Sequence, residues 1–170
     1  MPGLHTAQDG FDTHGGQLYA HQQLLQTMEK ALAGFLDSLK PSKLDERVVV
    51  LVFSEFGRRL KENANGGTDH GAAAPVLIAG RTVQGGRFGP HPNLADLDET
   101  GDPRFAVVFR DLYASLIRRW LDVDPTPLLG ERKATMILVS TRASARRGRT
   151  ITTTRGARRE SRSAQFSRRV

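Results

Sequence analysis

The sequence contains no cysteine. Disulfide staples, thiolate zinc sites and cysteine nucleophiles are therefore excluded, although the compartment is not fixed by that absence. No apolar run approaches the roughly 20 residues that a membrane-spanning helix needs. The opening Met1-Pro2-Gly3-Leu4-His5 has neither the charged start nor the apolar stretch of a signal peptide. Aromatic residues are scarce at 6%, with a single tryptophan. No internal repeat is visible.

Acidic residues are what the end of the chain lacks. Residues 131–170 hold 12 Lys/Arg against 2 Asp/Glu, so the formal charge of +7 conceals a −3 body and a +10 tail. A length of 170 residues allows one ordinary domain with a core. The expected organisation is a folded domain over 1–129 and a basic low-complexity tail over 130–170. Apart from Met136-Ile137-Leu138-Val139, that tail is Arg, Ser, Thr and Ala without periodicity, and is expected to be disordered. It reads either as a segment that binds nucleic acid or an anionic surface, or as an out-of-frame end.

Within the body, Leu18, Leu25, Met28, Leu32, Phe35, Leu36 and Leu39 recur at helical spacing and predict an amphipathic helix over 17–39, stopped by Pro41. Val48–Phe53 is an unbroken β-branched-rich run, the pattern of a strand covered on both faces. Residues 75–79 predict a second strand, and 107–121 a second amphipathic helix. Helices alternating with buried strands predict an α/β fold with a mostly parallel sheet.

Chemistry concentrates in three glycine-flanked clusters. The first is Asp12 with His14, in which Asp12 reads equally as a cap for the following helix. The second is Glu55 with Arg58, at the carboxyl end of the first strand, where open α/β sheets place ligand-binding groups. There Arg58 reads as an anion clamp or as a partner of Glu55. The third is Asp69 with His70, inside Asn65-Gly66-Gly67-Thr68-Asp69-His70-Gly71. Carboxylate oxygens and imidazole nitrogens together suit one or two divalent cations such as Zn²⁺, Mn²⁺ or Mg²⁺. His21 reads as a surface or boundary residue, and His91 as a loop residue without an acidic partner.

These stretches resemble a known family. Gly10-Phe11-Asp12-Thr13-His14, Val48–Phe53 with Ser54-Glu55-Phe56-Gly57-Arg58, Gly67-Thr68-Asp69-His70-Gly71 with Pro75, and Arg110-Asp111-Leu112-Tyr113 with Trp120-Leu121 are similar, in order over about 8–128, to the bacterial domain of unknown function 1501. That family is related to alkaline phosphatases and sulfatases. The resemblance implies a three-layer α/β/α alkaline-phosphatase-like domain. It also implies a divalent-metal site drawing on Asp12, His14, Glu55, Asp69 and His70, with Arg58 on the anion, and hydrolysis of small phosphate or sulfate esters. Either Glu55 or Asp69-His70-Gly71 matches the superfamily's Asp-His-Gly position.

The superfamily's nucleophile comes from a strand and helix upstream of the position Asp12 would take, and neither Thr13 nor Thr68 stands at that place. The chain is therefore expected to match the carboxy-terminal portion of such a protein, with an amino-terminal half supplied elsewhere and no efficient catalysis alone. Family members often carry a twin-arginine export signal. The alternative reading is a non-enzymatic module that docks through its basic tail.

Overall fold

The apolar spacing over 17–39 becomes helix α1, Gln17–Leu39, in the computed structural model of the protein, which describes residues 3–132. Gly16, in the left-handed region at φ 54°, turns the chain into α1 without a side-chain cap. The first helical N–H groups find acceptors across the fold instead: Gly16 N donates to Asn65 O at 3.0 Å and Gln17 N to Gly66 O at 2.9 Å. At the far end the Ser38 and Ser42 hydroxyls donate back to the Phe35 and Leu39 carbonyls at 2.7 and 3.1 Å. No residue of α1 is buried, and Leu18 remains 78% exposed, so the expected packing of this helix on a core is slight.

The first predicted strand is β1, Val50–Val52. After it come β2, Gly57–Glu62, β3, Thr68–Gly71, and β4, Leu77–Ala79. β1 pairs with β4 in the register Val50↔Ala79, Leu51↔Ile78 and Val52↔Leu77. β2 and β3 form a separate hairpin, with Arg58 opposite His70. Both pairings are antiparallel, so the expected mostly parallel sheet is not what the described strands form. For β2 and β3 the reason is local: they are close enough in sequence to close on a tight turn, and a parallel pair would need a long crossover. β1 and β4 are joined through that hairpin, which returns the chain in the opposite direction. What holds is the coarser class, helix and strand mixed in one body.

The predicted 107–121 helix divides into α2, Phe109–Leu116, and a π-helical turn, Ile117–Leu121, closed by Asp122 at φ 56°. Leu112 and Trp120 are the buried centre of a small apolar core. Val49, Leu51, Ile78, Val83 and Leu116 pack around them, so α2 covers one face of the β1–β4 pair. Each such side chain stabilises by about 1.5–3 kcal/mol when fully buried. Helix α3, Thr126–Leu129, follows Pro125 without a side-chain cap; in the turn that leads into it, Asp124 Oδ1 accepts from the Thr126 N–H and hydroxyl at 3.1 and 2.8 Å. From residue 133 onward the expected basic tail lies outside the described residues. No helix among the described residues is long and apolar enough to cross a membrane.

Candidate metal centre

Two polypeptide segments far apart in sequence carry the site, and the β2–β3 turn brings them together. In that turn Asn63 Oδ1 accepts from Asn65 N and Gly67 N at 3.0 and 3.1 Å, and Asn63 N donates to Gly67 O at 2.8 Å. Gly66 sits at φ +70°, a conformation glycine adopts without strain. Gly67 is needed for a different reason. A Cβ there would lie 2.5 Å from the His14 carbonyl carbon, so only a hydrogen lets segment 13–15 lie against the hairpin.

Arg58 makes the second junction. From β2 its guanidinium donates to Thr68 O through Nη1, and to Phe11 O and the Thr13 hydroxyl through Nη2. One planar fork thus ties the residues on either side of Asp12 to the strand that carries Asp69 and His70.

The result is a cluster of Asp12, His14 and His70, each exposed, with one ligand atom apiece within 4.8 Å of the others. Asp12 Oδ1 lies 2.9 Å from His14 Nε2 and 2.7 Å from His70 Nε2, and the two Nε2 atoms are 3.2 Å apart. Tetrahedral zinc with nitrogen and oxygen ligands has donor atoms about 3.3 Å apart, so an outward shift of a few tenths of an ångström would admit the ion. Phe56 holds the His70 ring by parallel stacking, with centroids 3.7 Å apart and planes 8° from parallel.

Asp69 stands behind His14 and does not face the cluster's centre. Its Oδ1 is 3.2 Å from His14 Nδ1, and Asn63 Nδ2 donates to the same oxygen at 3.2 Å. A carboxylate on Nδ1 favours the tautomer protonated there and leaves Nε2 as a lone pair. Lone pairs of His14 Nε2 and Asp12 Oδ1 then face each other at 2.9 Å, and His70 can supply one proton at most. A cation compensates that arrangement, so the donor set fits a divalent metal.

The two carboxylates are already tuned toward their ionised forms. The hydrogen bond from His70 is the largest effect on the Asp12 carboxyl and holds it below its ordinary value; desolvation, next in size, opposes it, and electrostatic attraction to His14, His70 and Arg58 adds smaller lowering contributions. Asp69 is lowered first by Asn63 and then by His14. Ionised carboxylates are the form a metal needs.

Of the residues singled out in the sequence, Asp12, His14, Asp69 and His70 meet in one chain of contacts. Arg58 Nη2 comes to 3.8 Å from Asp12 Oδ1, but its donors are directed at main-chain and hydroxyl oxygens. Glu55 is exposed at the bend between β1 and β2 and is not in the three-residue cluster. Thr13 is buried beside Arg58, and the Thr68 hydroxyl donates to Gln17 Oε1 at 2.9 Å. His21 is half-buried with its ring edge-on to Phe11, and His91 is exposed in its loop. Sequence reasoning passed over Asn63. Its signal was available: an asparagine two residues before Asn65-Gly66-Gly67, where its side chain can accept from the turn's N–H groups.

Residues 4–141 match the model of the family described as "Protein of unknown function (DUF1501)". No curated protein and no solved structure matches the chain.

Proposed function

The chain belongs to the DUF1501 family, and from that premise we propose that it carries part of the divalent-metal site of a hydrolase of phosphate or sulfate esters. The observation that carries the reading is the convergence of Asp12 Oδ1, His14 Nε2 and His70 Nε2 on one exposed point. Two imidazole nitrogens and one carboxylate oxygen favour Zn²⁺, with Mn²⁺ next and Mg²⁺ weakest. Three protein ligands leave positions open for water or an ester oxygen. A metal bound there would polarise that oxygen and lower the pKa of bound water.

The protein's own part is to hold the two imidazoles and the carboxylate in register, through Arg58, Asn63 and the Phe56 stack. Glu55 belongs to the proposal only as a ligand that a rearrangement of the β1–β2 bend would bring in. In this reading the β1–β4 pair with α2 on one face is a portion of a larger three-layer α/β/α sheet. Both threonine hydroxyls near the site are engaged in holding segments together, which agrees with metal binding without efficient turnover. The basic tail as a polyanion-docking element is the second reading, favoured by its charge of +10.

Thermal melts with and without Zn²⁺, Mn²⁺ and Mg²⁺ test the site. At a hundredfold excess over Kd, a bound ion stabilises by about 2.7 kcal/mol, a shift of several degrees. The shift is expected for Zn²⁺ in the unsubstituted protein and is expected to vanish in Asp12→Ala and His70→Ala. Absence of any metal-dependent shift in the unsubstituted protein would remove the site. Aryl phosphates and aryl sulfates, offered with the preferred metal, are expected to turn over no faster than with the metal alone.

A further inference from the structure

Asn63 is half-buried under the cluster, and every polar atom of its side chain is used. The amide oxygen accepts from Asn65 N and Gly67 N at 3.0 and 3.1 Å, which closes the turn. The amide nitrogen donates to His14 O at 3.0 Å and to Asp69 Oδ1 at 3.2 Å. The amide has one sensible orientation, because exchanging its oxygen and nitrogen would set acceptor against acceptor and donor against donor. One side chain therefore grips the main chain of His14 and, through Asp69, the Nδ1 edge of the same imidazole.

We propose that Asn63 is the positioning residue of the metal centre, fixing through Asp69 the His14 tautomer that turns an unprotonated Nε2 toward the metal. The inference rests on the metal-site reading above for its purpose. Its physical content, the tautomer of His14, is measurable in the metal-free protein.

The two jobs of Asn63 separate by chemistry. Asn63→Asp keeps an oxygen for the turn's N–H groups but can donate neither to Asp69 nor to His14 O, and it places a second carboxylate beside the first. A merely structural asparagine exchanged in this way costs stability but leaves the proton on the same nitrogen of the His14 ring. A positioning one moves that proton. Asp69→Asn breaks the same linkage one step further along.

The test is ¹⁵N NMR of the His14 ring at pH 8, with CD melts alongside. The unsubstituted protein is expected to show the Nδ1–H tautomer, and Asn63→Asp and Asp69→Asn are each expected to move it toward Nε2–H. The double variant should go no further than either single one, as for residues acting in series. Zn²⁺ affinity, read by competition with a chromogenic chelator, is expected to fall about 10- to 100-fold in each single variant. An unaltered His14 signature in a folded Asn63→Asp protein overturns the proposal, whatever happens to zinc. So does an Nε2–H tautomer in the unsubstituted protein. A Zn²⁺ titration that fails in every protein while the tautomer shifts as expected overturns the metal-site reading and leaves the Asn63–Asp69–His14 linkage standing. If Asn63→Asp does not fold, Asp69→Asn decides the tautomer question alone: a shifted signature supports the linkage and an unshifted one overturns it.

Discussion

Arg58 directs its guanidinium at Phe11 O, Thr68 O and the Thr13 hydroxyl, three acceptors on two segments. A lysine at that position keeps the charge and loses the fork. Arg58→Lys is therefore expected to leave at least one half-buried acceptor unsatisfied, at about 1–3 kcal/mol, and to weaken Zn²⁺ binding about tenfold by loosening segment 11–14. Urea titration and zinc competition on the same samples check both. Unchanged zinc affinity in Arg58→Lys would show that charge alone sufficed. Asp98 illustrates a carboxylate with a purely structural task. The Asp102 N–H, then the Thr100 hydroxyl and N–H, with the Arg104 charge, hold its carboxyl below the ordinary value of 3.8. A depressed folded-state pKa contributes stability that is present above the unfolded value and lost as pH falls through the folded one. Urea midpoints between pH 7 and pH 2.5 should accordingly show Asp98→Asn less stable than the unsubstituted protein above pH 4, with the gap narrowing as pH falls below the ordinary value. A constant gap across that range would contradict the linkage.

At the scale of elements, the β2–β3 hairpin decides whether the site exists, and it was the least legible in the sequence. Gly57-Arg58-Arg59-Leu60-Lys61-Glu62 has no apolar alternation, because the hairpin is held by its ladder, its turn and Arg58 rather than by a buried face. The long periodic segment, by contrast, was legible to the residue: α1 begins at Gln17 and ends at Leu39. β1 and β4 were legible as strands but not in their pairing, since an unbroken apolar run reports burial and says nothing of strand direction. The meeting of Asp12 and His14 with Asp69 and His70 was legible as chemistry, from residue type and glycine context. Arg58's staple and Asn63's double grip were not, because both depend on which main-chain oxygens lie nearby. Gly67→Ala probes the hairpin directly. Its new Cβ would sit 2.5 Å from main-chain carbon of His14, which cannot swing aside as a side-chain tip could. The expected cost is about 1–3 kcal/mol, with Zn²⁺ binding lost before the fold. Leu112→Ala tests the other half of the body. It should cost about 2–5 kcal/mol while zinc affinity of the folded fraction stays unchanged, since the hydrophobic residues packed against the Leu112–Trp120 centre come from 49–51, 78–83 and Leu116 and none from the hairpin.

For the whole molecule the decisive feature is a division of charge. Residues 133–170 carry 11 Lys/Arg and one Glu, whereas residues 1–132 have a formal charge of −3. The Asp12–His14–His70 cluster lies wholly in the acidic part. The family match extends to residue 141 and takes in Met136-Ile137-Leu138-Val139, but leaves the most arginine-rich stretch beyond it. Two activities read from these two regions should therefore be separable. If the tail is the polyanion-docking element of the second reading, counterion release would drive its binding at low salt, with log K falling linearly against log salt at about 0.7–0.9 per phosphate neutralised. A chain ending at residue 132 has reversed its net charge and should lose that binding entirely. Its zinc-dependent thermal shift should persist, because neither the ligands nor Arg58, Asn63 and Phe56 have been touched. Fluorescence anisotropy with a labelled oligonucleotide at several salt concentrations, run beside zinc melts on both chains, reads the two properties independently. Polyanion binding that survives the truncation would place it on the acidic body, where electrostatics alone cannot account for it. A zinc shift that disappears with the tail would mean that residues beyond 132 complete the metal centre, and the three-ligand description would have to be enlarged.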